Sequence, residues 1–507
     1  MKVISGDQAK VLIETELAKH SNGIHSVLAE YRCKEAVAAW HETIRAVEEF
    51  INLPKFGIAD SRVREWLCAV RLDSTFVSNP APTWLAVNKV LSPYIERPVI
   101  LRFAQVMHHA AALGAAFAEQ GLDTRSTSIT LDTIGGAVNY FQSRRRHLIS
   151  LMYTMPYACS GSLILQPYDA LAVLIPQIEF SCIAIASFHQ QLTLLEIIPD
   201  FILESDLIGT NASHYLDTLD SDFLEPERAS VHTMTDLRGN QFIMPTMKAL
   251  NQKKIFSVAE MHNNVRLIAA AYDAFGLNDS DFSVMSLLLY AFTRHCRDDY
   301  YIEIRKEKFQ SILLSQSSIE PNKLQMLLVN KPSEYAINTN AYQPFIDLGD
   351  MVISNINLLS RFMYAFKNVH LNSRRRFQIH AGFIFEDMVK CDLDLMGFTV
   401  TNTKRINRKE FDVIAIRGDT IFNIQCKNNW IDLSKISADR KLFVRYNKSL
   451  TGYYERALTK ERNREHLLKK RFGMDKVIHY IVSRFPVICA NPAVINYNQI
   501  DRLRIVD

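Results

Sequence analysis

Gln425, Cys426 and Lys427, near the end of a β-rich run, carry side-chain types that can act together on a phosphate ester. Side chains alternate between the two faces of a strand, so Gln425 and Lys427 are expected on one face while Cys426 packs into the protein. The preceding β-rich run contains Asp412. If the two runs pair as a hairpin, a carboxylate, an amide oxygen and an ammonium group converge at one edge of a sheet.

This combination of side chains matches the needs of metal-assisted phosphodiester hydrolysis. Carboxylate and amide oxygens are suitable ligands for Mg²⁺, which would activate water and neutralise phosphate charge. Lys427 would position the nucleophile or stabilise the transition state. The alternative is structural: Gln425 and Lys427 would then be exposed residues of an edge strand, and Asp412 would pair with a nearby Lys or Arg.

Glu386 is a candidate fourth member of this group, because of the pattern around it. The neighbouring apolar residues form two stripes at helical spacing and leave only a narrow polar strip. The stripes are Phe385, Val389, Leu393, Met396 and Ile384, Met388, Cys391, Leu395. A helix that is apolar on two sides is packed on two sides, so Glu386 at the edge of the polar strip could offer a carboxylate to a sheet beneath it.

The elements that must position these residues follow in the order helix, strand, hairpin, helix, strand. Hydrophobic spacing and the turn residues between the runs predict each of them. Arg417, Gly418 and Asp419 form the predicted hairpin turn. The helices are predicted over His380–Met396 and Thr451–Arg471, and the strands over Phe398–Thr403, Glu410–Ile416, Thr420–Cys426 and Lys476–Ser483. Together they indicate a self-contained α/β module.

The module contains a series of motifs in a fixed order. Its members are Gly382, Phe385, Glu386 and Val389, then Gly397 and Phe398, then Asp412, then Ile424, Gln425, Cys426 and Lys427. This series resembles the Mrr-type branch of the PD-(D/E)XK nuclease superfamily, where a GxxFExxV helix and a Gly-aromatic turn precede an Asp strand and a QxK strand. The resemblance covers about residues 377–490 and implies an αβββαβ core with a mixed sheet.

The resemblance also implies a role for each candidate residue. Asp412 would bind the metal, and Lys427 would be the catalytic lysine. Gln425 takes the place of the usual Glu ligand, and Glu386 supplies a helix carboxylate to the same metal. The implied cofactor is Mg²⁺, with Mn²⁺ as a substitute. The segment before the aspartate lacks the Gly and Asp residues common in this branch, so Glu410 remains an alternative to Asp412 as the metal ligand.

Charge is distributed unevenly along the 507 residues. Residues 371–507 hold 26 Lys and Arg against 15 Asp and Glu, although the whole chain has a net charge of only +4. This excess favours a polyanion as a partner of the C-terminal part. The candidate nucleic-acid-binding residues are Lys404, Arg405, Arg408, Lys409, Arg456, Lys460 and Arg464. The last three recur every four residues, which predicts a shared helix face, although solvation alone is the more common explanation for any one of them.

Residues 1–320 are predicted to be mainly helical, with room for two subdomains, and residues 321–376 to form a loop and helix connector to the nuclease-like domain at 377–507. Two runs, Leu163–Leu165 and Cys182–Ile185, fit strands or buried helices equally well. Neither a signal peptide nor a run of about 18–20 apolar residues is present, so we expect a cytoplasmic protein without a membrane partner. The scattered cysteines, without a CxxC pair, argue against a disulfide framework or a zinc ribbon.

The sequence therefore predicts a multidomain protein with a mainly α-helical N-terminal region and a C-terminal α/β restriction-endonuclease-like domain. The expected activity is Mg²⁺-dependent hydrolysis of DNA, with double-stranded DNA favoured. The resemblance implies bacterial restriction or anti-phage defence, with a sensing or regulatory N-terminal region and with a homo-oligomer or a defence-system protein as partner. Two alternatives stay open: a non-catalytic nucleic-acid-binding or scaffold protein with a nuclease-like fold, and an RNA-directed nuclease.

Overall fold

The computed structural model describes residues 2–53, 60–72, 80–119, 131–198, 201–205, 210–212, 233–237, 243–250, 253–274, 276–277, 280–315, 327–329, 335–339, 341–430 and 440–504. The chain divides into two compact units, each drawn from separate stretches. The α/β unit comprises Met1–Glu16, Ser187–Asn240 and Tyr364–Asp507, and the helical unit comprises Leu17–Ala186 and Gln241–Met363. The C-terminal sheet therefore shares its unit with two stretches from the first half of the chain.

Helices dominate the N-terminal part of the described chain, as the sequence predicts. They are Gly6–Leu28, Cys33–Asn52, Ser61–Ala69, Pro80–Leu91, Arg97–Glu119, Ile134–Ala158, Pro167–Asp169, Ile175–Ile197, Val258–Ala274, Ser280–Thr293, Lys306–Leu314, Tyr335–Asn338 and Ile356–Asn372, with a π-helical turn at Ala170–Leu174. Of the two ambiguous runs, Cys182–Ile185 is helical, whereas Leu163 forms an isolated bridge with Tyr31. Within the described residues, none of the helices has the length and apolar character to cross a bilayer.

The core of the helical unit includes large aromatic side chains from three of its helices. Trp40 is fully buried, and its indole N–H donates to the carbonyl of Leu148 at 2.8 Å. The ring of Phe50 lies 5.0 Å from that of Phe103 and 5.9 Å from that of Phe141. Burying side chains of this size is the main stabilising contribution available to a helical bundle.

The strands are β1 (Lys2–Ser5), β2 (Ile202–Ser205), β3 (Thr210–Ala212), β4 (Cys296–Arg297), β5 (Tyr301–Arg305), β6 (Leu328–Val329), β7 (Phe345–Asp347), β8 (Met351–Asn355), β9 (Thr399–Val400), β10 (Arg405–Ile406), β11 (Lys409–Glu410), β12 (Val413–Arg417), β13 (Thr420–Lys427), β14 (Lys476–Ser483) and β15 (Val494–Asn496). They pair in the orders β1-β2-β3, β4-β5-β8-β7-β6, β10-β11 and β15-β14-β13-β12-β9.

The β4–β8 sheet in the helical unit was not predicted. The described part of the predicted loop and helix connector at 321–376 contains β6, β7 and β8 as well as the helix Ile356–Asn372. Strands of two to five residues are too short to display a clear period-two pattern, so the sequence carried little signal for them. Residues 316–326, 330–334 and 340 lie outside the described residues.

The C-terminal sheet is mixed, in agreement with the prediction of an α/β region. β9, β12 and β13 are successively antiparallel, whereas β13 pairs with β14, and β14 with β15, in parallel. Arg417 lies opposite Thr420, so Gly418 and Asp419 alone form the predicted hairpin turn. Gly418 has φ +59°, a left-handed conformation that glycine adopts without steric cost.

Helices cover the two faces of this sheet. On one face is the Glu386 helix, Arg375–Leu395, whose buried Phe385 and Val389 join a core cluster with Val413 and Ile424. On the other face, Leu468 joins a cluster with strand residues Ile414 and Ile421. The predicted single helix over Thr451–Arg471 is in fact two. The Tyr453 helix spans Arg440–Asn463, a second helix spans Glu465–Phe472, and a 3₁₀ segment follows β15 at Tyr497–Arg504.

Candidate active site at a sheet edge

The antiparallel register of β12 and β13 brings Asp412 to the end of β13. Val413, the first residue of β12, lies opposite Ile424 of β13. Asp412 precedes Val413, so the antiparallel register places it next to the residues that follow Ile424 in β13. The Asp412 carboxylate accepts a hydrogen bond from the backbone N–H of Cys426 at 2.9 Å. This carboxylate is therefore fixed at the point in β13 that separates Gln425 from Lys427.

Gln425 and Lys427 share a face, as strand alternation predicts. The ammonium group of Lys427 donates to the amide oxygen of Gln425 at 3.0 Å, and Gln425 is buried. Lys427 Nζ also lies 5.7 Å from the centroid of the Tyr453 ring. Cys426 packs against the hydrophobic cluster on the opposite face of the sheet. We call Glu386, Asp412, Gln425 and Lys427 the strand-edge site.

Glu386 approaches Asp412 from the helix on the face of the sheet that Cys426 packs against, opposite to Gln425 and Lys427. Burial raises the pKa of Glu386 to about 7, and the negative charge of Asp412 contributes to the increase. The nearby charges of Lys390 and Lys404 oppose it. The carboxylates of Glu386 and Asp412 are thus close enough to interact electrostatically, although they belong to different elements.

The charge of Asp412 is also held in an unfavourable environment. Burial raises the pKa of Asp412, and Lys427 and the Cys426 N–H offset part of that effect. The charge of Glu461 raises this pKa further, and that of Arg464 lowers it. A cation bound beside Asp412 would offset the negative charge that raises the pKa of Glu386.

The donor set of the strand-edge site fits a hard divalent cation. Across the described residues, no three His, Cys, Asp or Glu side chains converge in a way that could hold a metal ion. The site offers two carboxylates and the Gln425 amide oxygen instead. Mg²⁺ is commonly held by one or two carboxylates together with water and substrate phosphate oxygens, so this set is sufficient for it.

Glu410, the alternative metal ligand, lies elsewhere. It is exposed on β11, where its carboxylate pairs with the guanidinium of Arg405 across the β10–β11 hairpin. That pairing lowers the pKa of Glu410. The charge of Asp412 raises the pKa of Glu386, whereas Glu410 is not among the main charges that shift it. The geometry therefore favours Asp412 as the acidic ligand.

The basic residues proposed to bind phosphate fall into two classes. Six are exposed: Lys404, Arg405, Arg408 and Lys409 on or beside the β10–β11 hairpin, and Arg456 and Lys460 on the Tyr453 helix. Arg464 is the exception and corrects the expectation of one shared helix face. It lies between two helices, is buried, bonds to Glu461 through its guanidinium and stacks 4.8 Å over the Phe411 ring. Its positive charge is therefore paired with Glu461 inside the protein and does not face solvent.

A polar network on the Gln425 face of the sheet was not predicted from the sequence. The Asn423 amide donates to Glu461 at 2.9 Å and lies 3.1 Å from His479 Nδ1, and His479 Nε2 lies 3.1 Å from Glu465. Three of these residues are buried within the α/β unit. Asn423 lies on β13, and the charge of Glu461 raises the pKa of Asp412. The network therefore links the strand that carries Gln425 and Lys427 to the helices that cover it. Isolated Asn and His residues in a strand give no local signal of such a link.

Comparisons of the chain with protein-family models, with curated proteins and with solved structures find no match.

Proposed function

We propose that the α/β unit is a Mg²⁺-dependent endonuclease of the PD-(D/E)XK type that hydrolyses phosphodiester bonds in DNA. The observation that supports this most is the convergence at one sheet edge. Asp412 is bonded to the Cys426 N–H at 2.9 Å, and Lys427 is bonded to Gln425 at 3.0 Å. Glu386 is brought near from a separate helix.

Each side chain has a distinct task in this proposal. Glu386, Asp412 and Gln425 would hold Mg²⁺, which when bound lowers the pKa of water and neutralises phosphate charge. Lys427 orients the Gln425 oxygen through its hydrogen bond. Its ammonium group also places a fixed positive charge where negative charge builds up on the phosphate oxygens in the transition state.

DNA is the proposed substrate because exposed positive charge lies on segments adjoining the site. Lys404 precedes the β10–β11 hairpin and is close enough to affect the pKa of Glu386. Arg456 is exposed on the helix that carries Tyr453, whose ring lies beside Lys427. Lys and Arg contacts to phosphates supply affinity that is independent of sequence and sensitive to salt. Double-stranded DNA and a setting in bacterial restriction or anti-phage defence are part of the proposal through the motif resemblance.

The test uses the full chain, supercoiled plasmid DNA and Mg²⁺ or Mn²⁺, with EDTA as the metal-free condition. We expect nicking or linearisation that requires metal and falls by about 100- to 1,000-fold in Lys427→Ala and Asp412→Ala, because each removes charge used in the transition state. Glu410→Gln is the matched control and should retain cleavage. Binding of DNA without cleavage under any metal condition would favour the non-catalytic alternative, and preferential cleavage of RNA would favour an RNA-directed nuclease.

A further inference from the structure

Arg484 follows directly after β14 and is a buried residue beside the strand-edge site. Its backbone N–H donates to the carbonyl of Lys427 at 2.9 Å, and its Nη1 lies 3.4 Å from Asn428 Oδ1. Its guanidinium carbon lies 5.6 Å from the centroid of the Phe385 ring, and Phe385 is the neighbour of Glu386 in sequence. Arg484 therefore touches both segments that carry the site, the end of β13 and the Glu386 helix.

The charge of Arg484 is met by Asp236, a residue 248 positions earlier in the chain. Nη1 donates to one Asp236 oxygen at 2.8 Å and Nη2 to the other at 3.0 Å, which is a bidentate pair. The two side chains are only 2% and 3% exposed. Asp236 lies on a short helical turn at residues 233–237, and Thr233 of that turn donates to Asn368 at 2.7 Å.

We propose that the Asp236–Arg484 pair is a positioning pair that holds Lys427 and Glu386 in the geometry required for phosphodiester cleavage. This inference rests on the proposed nuclease function. It also assigns a role to residues 233–237, which lie far from the motifs in sequence yet belong to the same compact unit as the site.

The chemistry of the pair favours positioning over simple stabilisation. A buried ion pair loses the hydration of both charges, and replacing it by apolar side chains is often neutral or favourable for stability. What a bidentate pair supplies is direction, because two parallel hydrogen bonds fix the plane of the guanidinium. In this protein the guanidinium lies over the Phe385 ring and next to Asn428 Oδ1, so fixing its direction constrains the segments on either side of the site.

The kinetic test compares Asp236→Asn and Arg484→Lys with the wild-type full chain. Misplacing catalytic groups by about 1 Å can cost on the order of 100-fold in rate, so we expect kcat to fall by about 10- to 100-fold. KM for DNA should change little, because the exposed basic residues are untouched, and Asp236→Glu should recover part of kcat. Glu196→Gln is the matched control: its carboxylate pairs with Arg440 at 2.7 Å in the same unit, and kcat should be retained.

A loss of fold must be separated from a loss of geometry. Rates are therefore measured at low temperature and expressed per folded molecule, with the folded fraction taken from circular dichroism. A wild-type kcat for Asp236→Asn under these conditions would overturn the proposal, because the pair would then contribute to stability alone.

A second readout does not depend on cleavage. In the full chain labelled with carbon-13 at the lysine Cε, the Lys427 signal is identified by its loss in Lys427→Arg. We expect this signal to shift in Asp236→Asn and to stay unchanged in Glu196→Gln. An unchanged signal in Asp236→Asn overturns the positioning role even if the wild-type chain cuts DNA. A shifted signal in a chain that never cuts DNA supports the positioning geometry and rejects the nuclease function.

Discussion

Buried carboxylates of the helical unit and the carboxylates of the strand-edge site are balanced in different ways. In the helical unit they meet guanidinium groups directly. Glu49 accepts two bonds from Arg102 at 2.7 Å and one from Arg45 at 3.1 Å. Glu48 accepts from Arg145 at 2.5 Å. Each of these charges is balanced within the protein.

The carboxylates of the strand-edge site are balanced less completely. The charge of Asp412 raises the pKa of Glu386, and Asp412 itself accepts a hydrogen bond from a backbone N–H. The nearby ammonium group of Lys427 is bonded to Gln425, a neutral amide. Internal ion pairs serve the fold, whereas charges that disfavour each other are typical of sites that bind or react with something else. The carboxylates of the helical unit are therefore structural, whereas those of the strand-edge site are the candidate metal ligands.

The largest expected difference is in stability. Glu49→Gln removes the carboxylate that Arg102 binds through two hydrogen bonds and one of the two carboxylates that bind Arg45, so we expect the free energy of unfolding to fall by about 3 kcal/mol. Asp412→Asn keeps a side-chain oxygen that can accept the hydrogen bond from the Cys426 N–H, so it should change the free energy of unfolding by less than about 1 kcal/mol. Urea unfolding of both variants measures this contrast. An equal loss in the two variants would mean that Asp412 is a structural carboxylate like Glu49.

The next effect is a pH dependence of stability in EDTA. Because the pKa of Glu386 is raised from 4.5 to about 7, the folded state holds this proton more tightly than the unfolded state. The stability that this proton provides is fully present below pH 4.5 and is lost as the pH rises through about 7. Glu386→Gln should abolish this loss, which we expect to be roughly 1–2 kcal/mol after solvent screening.

Unfolding midpoints of wild type and Glu386→Gln between about pH 5 and 8 measure the effect. Asp412→Asn is the matched variant, because removing the neighbouring charge should move the transition of Glu386 to lower pH. Identical pH profiles for all three chains would contradict the coupling between these carboxylates.

A smaller effect is expected from the exposed basic residues. Arg456→Gln and Lys460→Gln should each weaken DNA binding several-fold and reduce the salt dependence by about one released counterion. Arg464→Gln should instead lower the free energy of unfolding, because its guanidinium is buried against Phe411 and Glu461. Fluorescence anisotropy with labelled duplex DNA at several salt concentrations, together with urea unfolding, distinguishes the two outcomes. A change in salt dependence for Arg464→Gln alone would reverse this assignment.

The sequence could predict local features of the α/β unit. The strand at Lys476–Ser483 and the turn after Arg417 follow from period-two patterning and a glycine at a turn. The shared face of Gln425 and Lys427 follows from strand geometry alone. Such features depend on neighbours in sequence, so they are visible before folding.

Features that depend on distant segments could not be predicted in the same way. The bond from Asp236 to Arg484 joins residues 248 positions apart, and neither residue lies in a motif. Helical spacing put Arg464 on one face with Arg456, but the helix ends at Asn463 and Arg464 turns inward to Glu461. Tertiary ion pairs override local periodicity at such positions.

The most direct test of the cation site is Fe²⁺-directed cleavage of the protein backbone. Fe²⁺ substituted for Mg²⁺, with ascorbate and peroxide, generates radicals that cut the chain near the bound ion. We expect cuts near Glu386, Asp412 and Gln425 that excess Mg²⁺ suppresses and that Asp412→Asn abolishes. Cuts at other positions, or cuts near these residues that persist in Asp412→Asn, would contradict the claim that the strand-edge site holds the catalytic metal.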